Sequence, residues 1–158
     1  MEDAYSKVQE FHEVFDHRRP AAPTPLPKDR IIHRAGYMAE ELAEFLKAAP
    51  DDLVAQSDAL IDLIYFALGT FVEMGVDPAP LFEAVHQANM DKLWDGMPRY
   101  NPDNRKSIKP PGWVGPEERI RSQAGSIHRR CPAAPLRPRP SVGRARSRRR
   151  SRGTARHR

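Results

Sequence analysis

The run from Leu53 to Met74 constrains the fold of this chain more than any other stretch. Leu60, Ile61, Leu63, Ile64, Phe66, Leu68, Phe71 and Val72 cover most of the circumference of a helix drawn at about 100° per residue. One narrow stripe interrupts them, made of Asp58, Asp62, Gly69 and Glu73. Pro50-Asp51-Asp52 supplies a tight turn and a cap before the run, and Gly75 stops it. A helix that is apolar on most sides belongs at the centre of a fold. The rest of the chain therefore has to pack around it.

Three further helices are expected. The first runs from about Ala4 to Phe15, with Val8, Phe11 and Phe15 on one face. Pro20, Pro23, Pro25 and Pro27 force a non-helical connection. The second begins near Asp29, its expected N-cap, and ends near Ala48. The fourth follows Asp77-Pro78 and runs to about Trp94. Short loops make neighbouring helices antiparallel, so the fold class is all-α, a four-helix antiparallel bundle. No strand and no repeat is evident. Residues 96–115 are rich in Pro, Gly and Asn and are expected to fold over the bundle as a lid, with Tyr100 and Trp113 packing there. The expected domain is 1–115, followed by a basic, disordered tail over 116–158.

Charge divides along the same boundary. All 21 acidic residues lie between Glu2 and Glu118, and residues 1–120 hold 13 basic ones, giving that part a net charge of −8. The other 13 basic residues, all arginine, lie between Arg121 and Arg158 with no acid among them. Such a tail holds any polyanion at low salt without specificity. It has no interleaved aromatics to stack on bases. Cys131 is the single cysteine, so no intramolecular disulfide can form. With no signal-peptide pattern and no uninterrupted apolar span, the chain reads as cytoplasmic.

On the second helix Glu40, Glu41 and Glu44 lie within about 100° of one another, opposite Met38, Leu42, Phe45 and Leu46. Alone, such a face is ordinarily just solvated. Asp58 and Asp62 on an otherwise apolar helix change the balance, because buried carboxylates need a compensating cation. Arg34 is the one nearby counter-charge on the second helix. A divalent ion shared by Glu41, Glu44, Asp58 and Asp62 removes the difficulty, and all-oxygen ligands favour Mg²⁺ or Mn²⁺. A salt-bridge network is the structural alternative. On the fourth helix His86, Asn89 and Lys92 follow at three-residue spacing, with Asn89 near the apolar side made by Phe82, Val85, Met90 and Leu93. Asn89 is a candidate reader of a base or sugar and Lys92 a candidate phosphate ligand. His12 and Gln9 on the first helix are weaker substrate-binding candidates, since a lone helical His is more often structural.

Glu40-Glu41-Leu42-Ala43-Glu44, Asp58-Ala59-Leu60-Ile61-Asp62-Leu63-Ile64-Tyr65 and Asn89-Met90-Asp91-Lys92 together resemble the all-α NTP pyrophosphatase superfamily of MazG-like proteins. Val8-Gln9-Glu10-Phe11-His12 and Ala67-Leu68-Gly69-Thr70 look like its phosphoribosyl-ATP-pyrophosphohydrolase-like branch. The resemblance covers about Tyr5 to Pro111. It implies hydrolysis of a nucleoside triphosphate to monophosphate and pyrophosphate, with Glu-x-x-Glu on one helix and Glu-x-x-Asp on the next as metal ligands. Glu41, Glu44 and Asp62 match. The remaining ligand position falls on Ala59, which has no ligand atom; Asp58 on the same stripe is the candidate substitute, and the number of metals stays open. Glu40 is the candidate for orienting or deprotonating the attacking water. The resemblance and the apolar third helix both imply a homodimer or a dimer of dimers. Pyrimidine deoxynucleotides come first as substrates and phosphoribosyl-ATP second.

Two other readings remain. Glu83-Ala84-Val85-His86 is a Glu-x-x-His motif of the di-iron carboxylate bundles, but that architecture needs two such motifs and only one is present. A nucleotide- or nucleic-acid-binding helical protein without catalysis is the other.

Overall fold

A computed structural model describes residues 2–121; of the segment expected as a disordered tail, residues 116–121 are helical, and the rest, with Cys131, lies outside the described residues. Four helices follow in order: α1 (Glu2–Val14), α2 (Lys28–Lys47), α3 (Leu53–Met74) and α4 (Ala79–Met90). The fold is all-helical, as the bundle reading requires. Among the described residues the only β pairing is two isolated bridges, Trp94 with Met97 and Tyr100 with Ser107.

The limits of α3 follow from its caps. The Asp52 side chain accepts from Ala55 N at 2.9 Å, and Gly75 closes the helix in the left-handed region at φ 64°. A side chain at Gly75 would also strike the α1–α2 connection, since a Cβ there would lie 3.1 Å from Pro20 O and 3.2 Å from Ala22 O. Thr24 N donates to Met74 O at 2.9 Å, so that connection laps the end of α3. By contrast, α2 starts on Pro27 with no side-chain cap. Asp29 sits inside the first turn, not at the N-cap, where its charge still complements the helix dipole.

Both α1 and α2 lie against α3. Tyr5 and Val8 of α1 close over Leu68 and Val72, with Phe71 beside them, and this is the core. Phe11 meets Tyr65 edge-on at 5.8 Å, so α1 runs antiparallel to α3. Along the other flank α2 also runs antiparallel to α3, with Arg34 beside Glu73 and Tyr37 beside Phe66. By length and composition alone α3 is apolar enough to cross a membrane. Its acid stripe and its two flanking helices are equally those of a core helix.

α4 touches the other helices more lightly. It ends at Met90 rather than near Trp94, because Trp94 exchanges backbone bonds with Met97 instead (2.8 and 2.9 Å). The lid segment folds onto α4: Trp113 Nε1 donates to Ala88 O at 2.8 Å, Trp94 Nε1 donates to Ile108 O at 2.9 Å, and Arg119 pairs with Asp91. Much apolar surface stays open within one chain, including Ile61 and Ile64 on α3, Ile31 and Ile32 on α2, and Phe82 on α4.

Candidate active site on the α2–α3 seam

Successive turns of α2 meet successive turns of α3 in reverse order. At one end Glu73 of α3, 1% exposed, accepts from two arginines of α2. Arg34 reaches Oε1 with Nη2 at 2.6 Å and Nε at 3.0 Å, and Arg30 reaches Oε1 with Nη2 at 2.6 Å and Oε2 with Nε at 3.3 Å. Burial pushes the Glu73 carboxyl up, but the bonds from Arg30 and Arg34 together outweigh it and hold the group below the usual glutamate range. One turn on, Arg34 Nη2 also donates to Gly69 O at 3.3 Å. Next, the rings of Tyr37 and Phe66 stack at 5.3 Å.

The far end inverts this chemistry. Glu41, half-buried, faces Glu44 and Glu40 of its own helix and Asp62 and Asp58 of α3. Its carboxyl is pushed up, first by desolvation and then by Glu44, Asp62, Glu40 and Asp58 in that order. Glu40, Glu44, Asp58 and Asp62 are exposed. This corrects the expectation that Asp58 and Asp62 are buried: within one chain the acid that α3 buries is Glu73. Arg34, expected as the counter-charge of the cluster, is bonded to Glu73 instead. Ala59, where the resemblance expects a ligand, is 3% exposed, and Asp58 beside it is exposed.

Among the described residues, no three His, Cys, Asp or Glu side chains stand close enough together to hold an ion. The donor set nevertheless suits a hard divalent cation: carboxylates from two rigid helices, all oxygen, with Glu41 raised toward protonation by the others.

A cavity of about 460 Å³ opens between the two ends, lined by Phe11, His12, His17, Tyr37, Tyr65 and Phe66 with Arg30, Arg34 and Gly69 at its floor. His12 is buried, and burial pushes its pKa down, with Arg34 and His17 adding to the effect. Arg34 can only donate, so His12 Nε2 accepts from it at 3.5 Å, and the ring proton sits on Nδ1, 3.4 Å from Arg18 O. Both ring nitrogens are thus engaged by protein. Gln9 is half-buried on α1 and does not line the cavity.

The α4 candidates form a separate group. Asn89 is exposed, not inward as the helical wheel suggests, and accepts from Lys92 Nζ at 2.6 Å. Lys92 lies 5.8 Å from the Trp113 ring centre and makes no ion pair among the described residues. His86 is exposed on the same helix. The Arg30–Arg34–Glu73 cluster escapes a reading of the sequence, although two arginines four residues apart on one helix face are its signal.

A family model for phosphoribosyl-ATP pyrophosphohydrolase matches residues 8–89, just over half of the chain. The chain is also similar to a candidate NTP pyrophosphohydrolase from Exiguobacterium sp. 255-15 of known crystal structure. The two are 33% identical over 78% of this chain and 94% of that one, with a TM-score of 0.45. No curated protein matches the chain. From the matched span, which holds α2, α3 and every acid of the seam, the chain belongs to the phosphoribosyl-ATP pyrophosphohydrolase family, among the all-helical MazG-like NTP pyrophosphohydrolases.

Proposed function

We propose that this protein is a metal-dependent nucleoside triphosphate pyrophosphohydrolase, releasing a nucleoside monophosphate and pyrophosphate. One observation carries the proposal: carboxylates of α2 and α3 face one another across a seam while the nearby arginines are bound elsewhere. Such like-charge convergence is costly unless a cation or a reaction uses it. Glu41, Glu44, Asp58 and Asp62 would hold Mg²⁺, or Mn²⁺. When bound, the ion would neutralise phosphate charge and lower the pKa of a coordinated water. Glu40, on the exposed side of the cluster, would take the proton of the attacking water. The water oxygen forms a bond to the α-phosphorus, the α–β bridging bond breaks, and pyrophosphate leaves with the electron pair.

The base and sugar fit the aromatic cavity, whose wall residue Tyr37 is one helical turn, about 6 Å, from Glu41. That distance suits a nucleotide spanning both. His12 then shapes the cavity through its ring, having no free nitrogen to offer. Asn89, Lys92 and His86 would meet the phosphates and sugar from α4, and Lys92 is available because it has no carboxylate partner among the described residues. The open apolar faces of α2, α3 and α4 fit a second copy of the chain, as a dimer or dimer of dimers. A monomer by light scattering would contradict that assembly.

Glu41→Ala and Asp62→Ala are each expected to abolish Mg²⁺-dependent turnover and leave the helical circular dichroism nearly intact. Turnover surviving both changes would show that the site is elsewhere. The non-catalytic alternative draws on Ala59, which removes one ligand atom from the cluster. It predicts nucleotide binding with no pyrophosphate released.

A further inference from the structure

The Arg30–Arg34–Glu73 cluster is a costly way to join two helices. Glu73 and Arg34 leave water to form it and Arg30 does so in part, and well-packed apolar side chains at such positions are commonly as stable or more so. What charged, forked bonds add is geometry. Arg34 donates twice to one carboxylate oxygen and once to Gly69 O, and Arg30 grips both oxygens of the same group. These bonds fix both the spacing and the axial register of α2 on α3, whereas apolar contacts permit sliding. Gly69 is part of the fit. A Cβ there would lie 3.3 Å from Arg34 Nη1 and 3.1 Å from His12 Nε2, tighter than ordinary packing.

At the acid end Ala59 is buried, but among the described residues no ion pair or side-chain hydrogen bond joins α2 to α3 there. Glu41, Glu44, Asp58 and Asp62 repel, and Leu42, Leu46, Leu53 and Val54 around them are exposed. Asp62 and Glu73 are about 16 Å apart along a continuous helix. The separation of the carboxylates is therefore set from the other end, through two rigid helices.

We propose that Arg30, Arg34 and Glu73 form a register clip, and that Arg34 and Glu73 are positioning residues that keep the turns of α2 bearing Glu41 and Glu44 opposite the turns of α3 bearing Asp58 and Asp62, so that one divalent cation can draw the carboxylates together. This rests on the seam being the metal site of the proposed hydrolase. Long-range electrostatics makes the opposite forecast. Two arginines and one glutamate carry a net positive charge, so removing all three should tighten cation binding; loss of register should weaken it.

The test uses the full-length chain. Arg30→Met, Arg34→Leu and Glu73→Leu are combined, and Mn²⁺ binding is measured by titration calorimetry beside the melting temperature. The clip predicts a folded protein of similar Tm whose Mn²⁺ Kd is raised at least tenfold, with the Mg²⁺ concentration for half-maximal turnover raised in parallel. Gly69→Ala, which keeps every charge and crowds the Arg34 guanidinium and the His12 ring, should weaken Mn²⁺ by about threefold and is the deciding variant if the triple change unfolds the chain. Unchanged or tighter Mn²⁺ binding in a folded variant overturns the clip. A wild-type chain that binds no Mn²⁺ removes the metal site itself, and the clip with it.

Discussion

The two ends of the α2–α3 seam use the same residue types to opposite effect. At the Glu73 end one carboxylate meets two guanidinium groups and is sealed from water. At the Glu41 end there are four further carboxylates, all exposed, whose charges raise the Glu41 carboxyl after desolvation does. The first arrangement is built for the folded chain alone. The second is unfavourable for the folded chain alone, and in the proposed function a cation and a polyphosphate would offset it. Between them lies the aromatic cavity, so an ion-paired end, a cavity and an acidic end follow one another along a single helix pair.

Substitutions should separate the two ends. The largest effect belongs to Glu73→Ala, which leaves Arg34 buried without its partner. The expected loss is about 3–5 kcal/mol by urea denaturation. Glu44→Ala, at the other end, should leave stability in EDTA unchanged or higher. Equal losses at both positions would erase the distinction. Asp52→Ala comes next: it removes the cap bond to Ala55 N at the start of α3, at a cost of about 1 kcal/mol. Fraying there should weaken Mg²⁺ binding, since Asp58 is two turns away. Retained affinity would place the site further along the helix.

The smallest effect concerns pH. Because the folded-state pKa of Glu41 is raised, its contribution to stability is fully present below the unfolded value, about 4.3, and is lost as pH rises through the folded value. In EDTA, Glu41→Gln should therefore melt higher than wild type at pH 7.5, and the difference should vanish toward pH 4. Glu73 has the opposite sign. Its pKa is depressed, so its contribution is present above the unfolded value and is lost as pH falls through the folded one. A Glu41→Gln difference that grows on acidification would contradict this account.

Much of this is legible in the residues. Asp52 and Gly75 delimit α3 because each cap has a chemical signature that needs no tertiary context. The acid stripe is legible because its period is that of a helix. The partner of Glu73 is not, because helix periodicity says which residues share a face and not which faces meet. Arg30 and Arg34 become meaningful only once α2 is laid antiparallel on α3. Asn89 is expected inward for a related reason: the wheel of α4 has an apolar side, but one chain leaves Phe82, Val85 and Met90 of that side largely uncovered. Asp29 has the composition of an N-cap, yet the chain enters α2 earlier, on the extended Pro27.

The most direct test of the central claim is pyrophosphate release from a panel of NTPs and dNTPs, phosphoribosyl-ATP included, with Mg²⁺ or Mn²⁺ and with EDTA. The account predicts release from one or a few members, stoichiometric with the nucleoside monophosphate and abolished by EDTA. Release that persists in EDTA, orthophosphate in place of pyrophosphate, or no release from any member would contradict it.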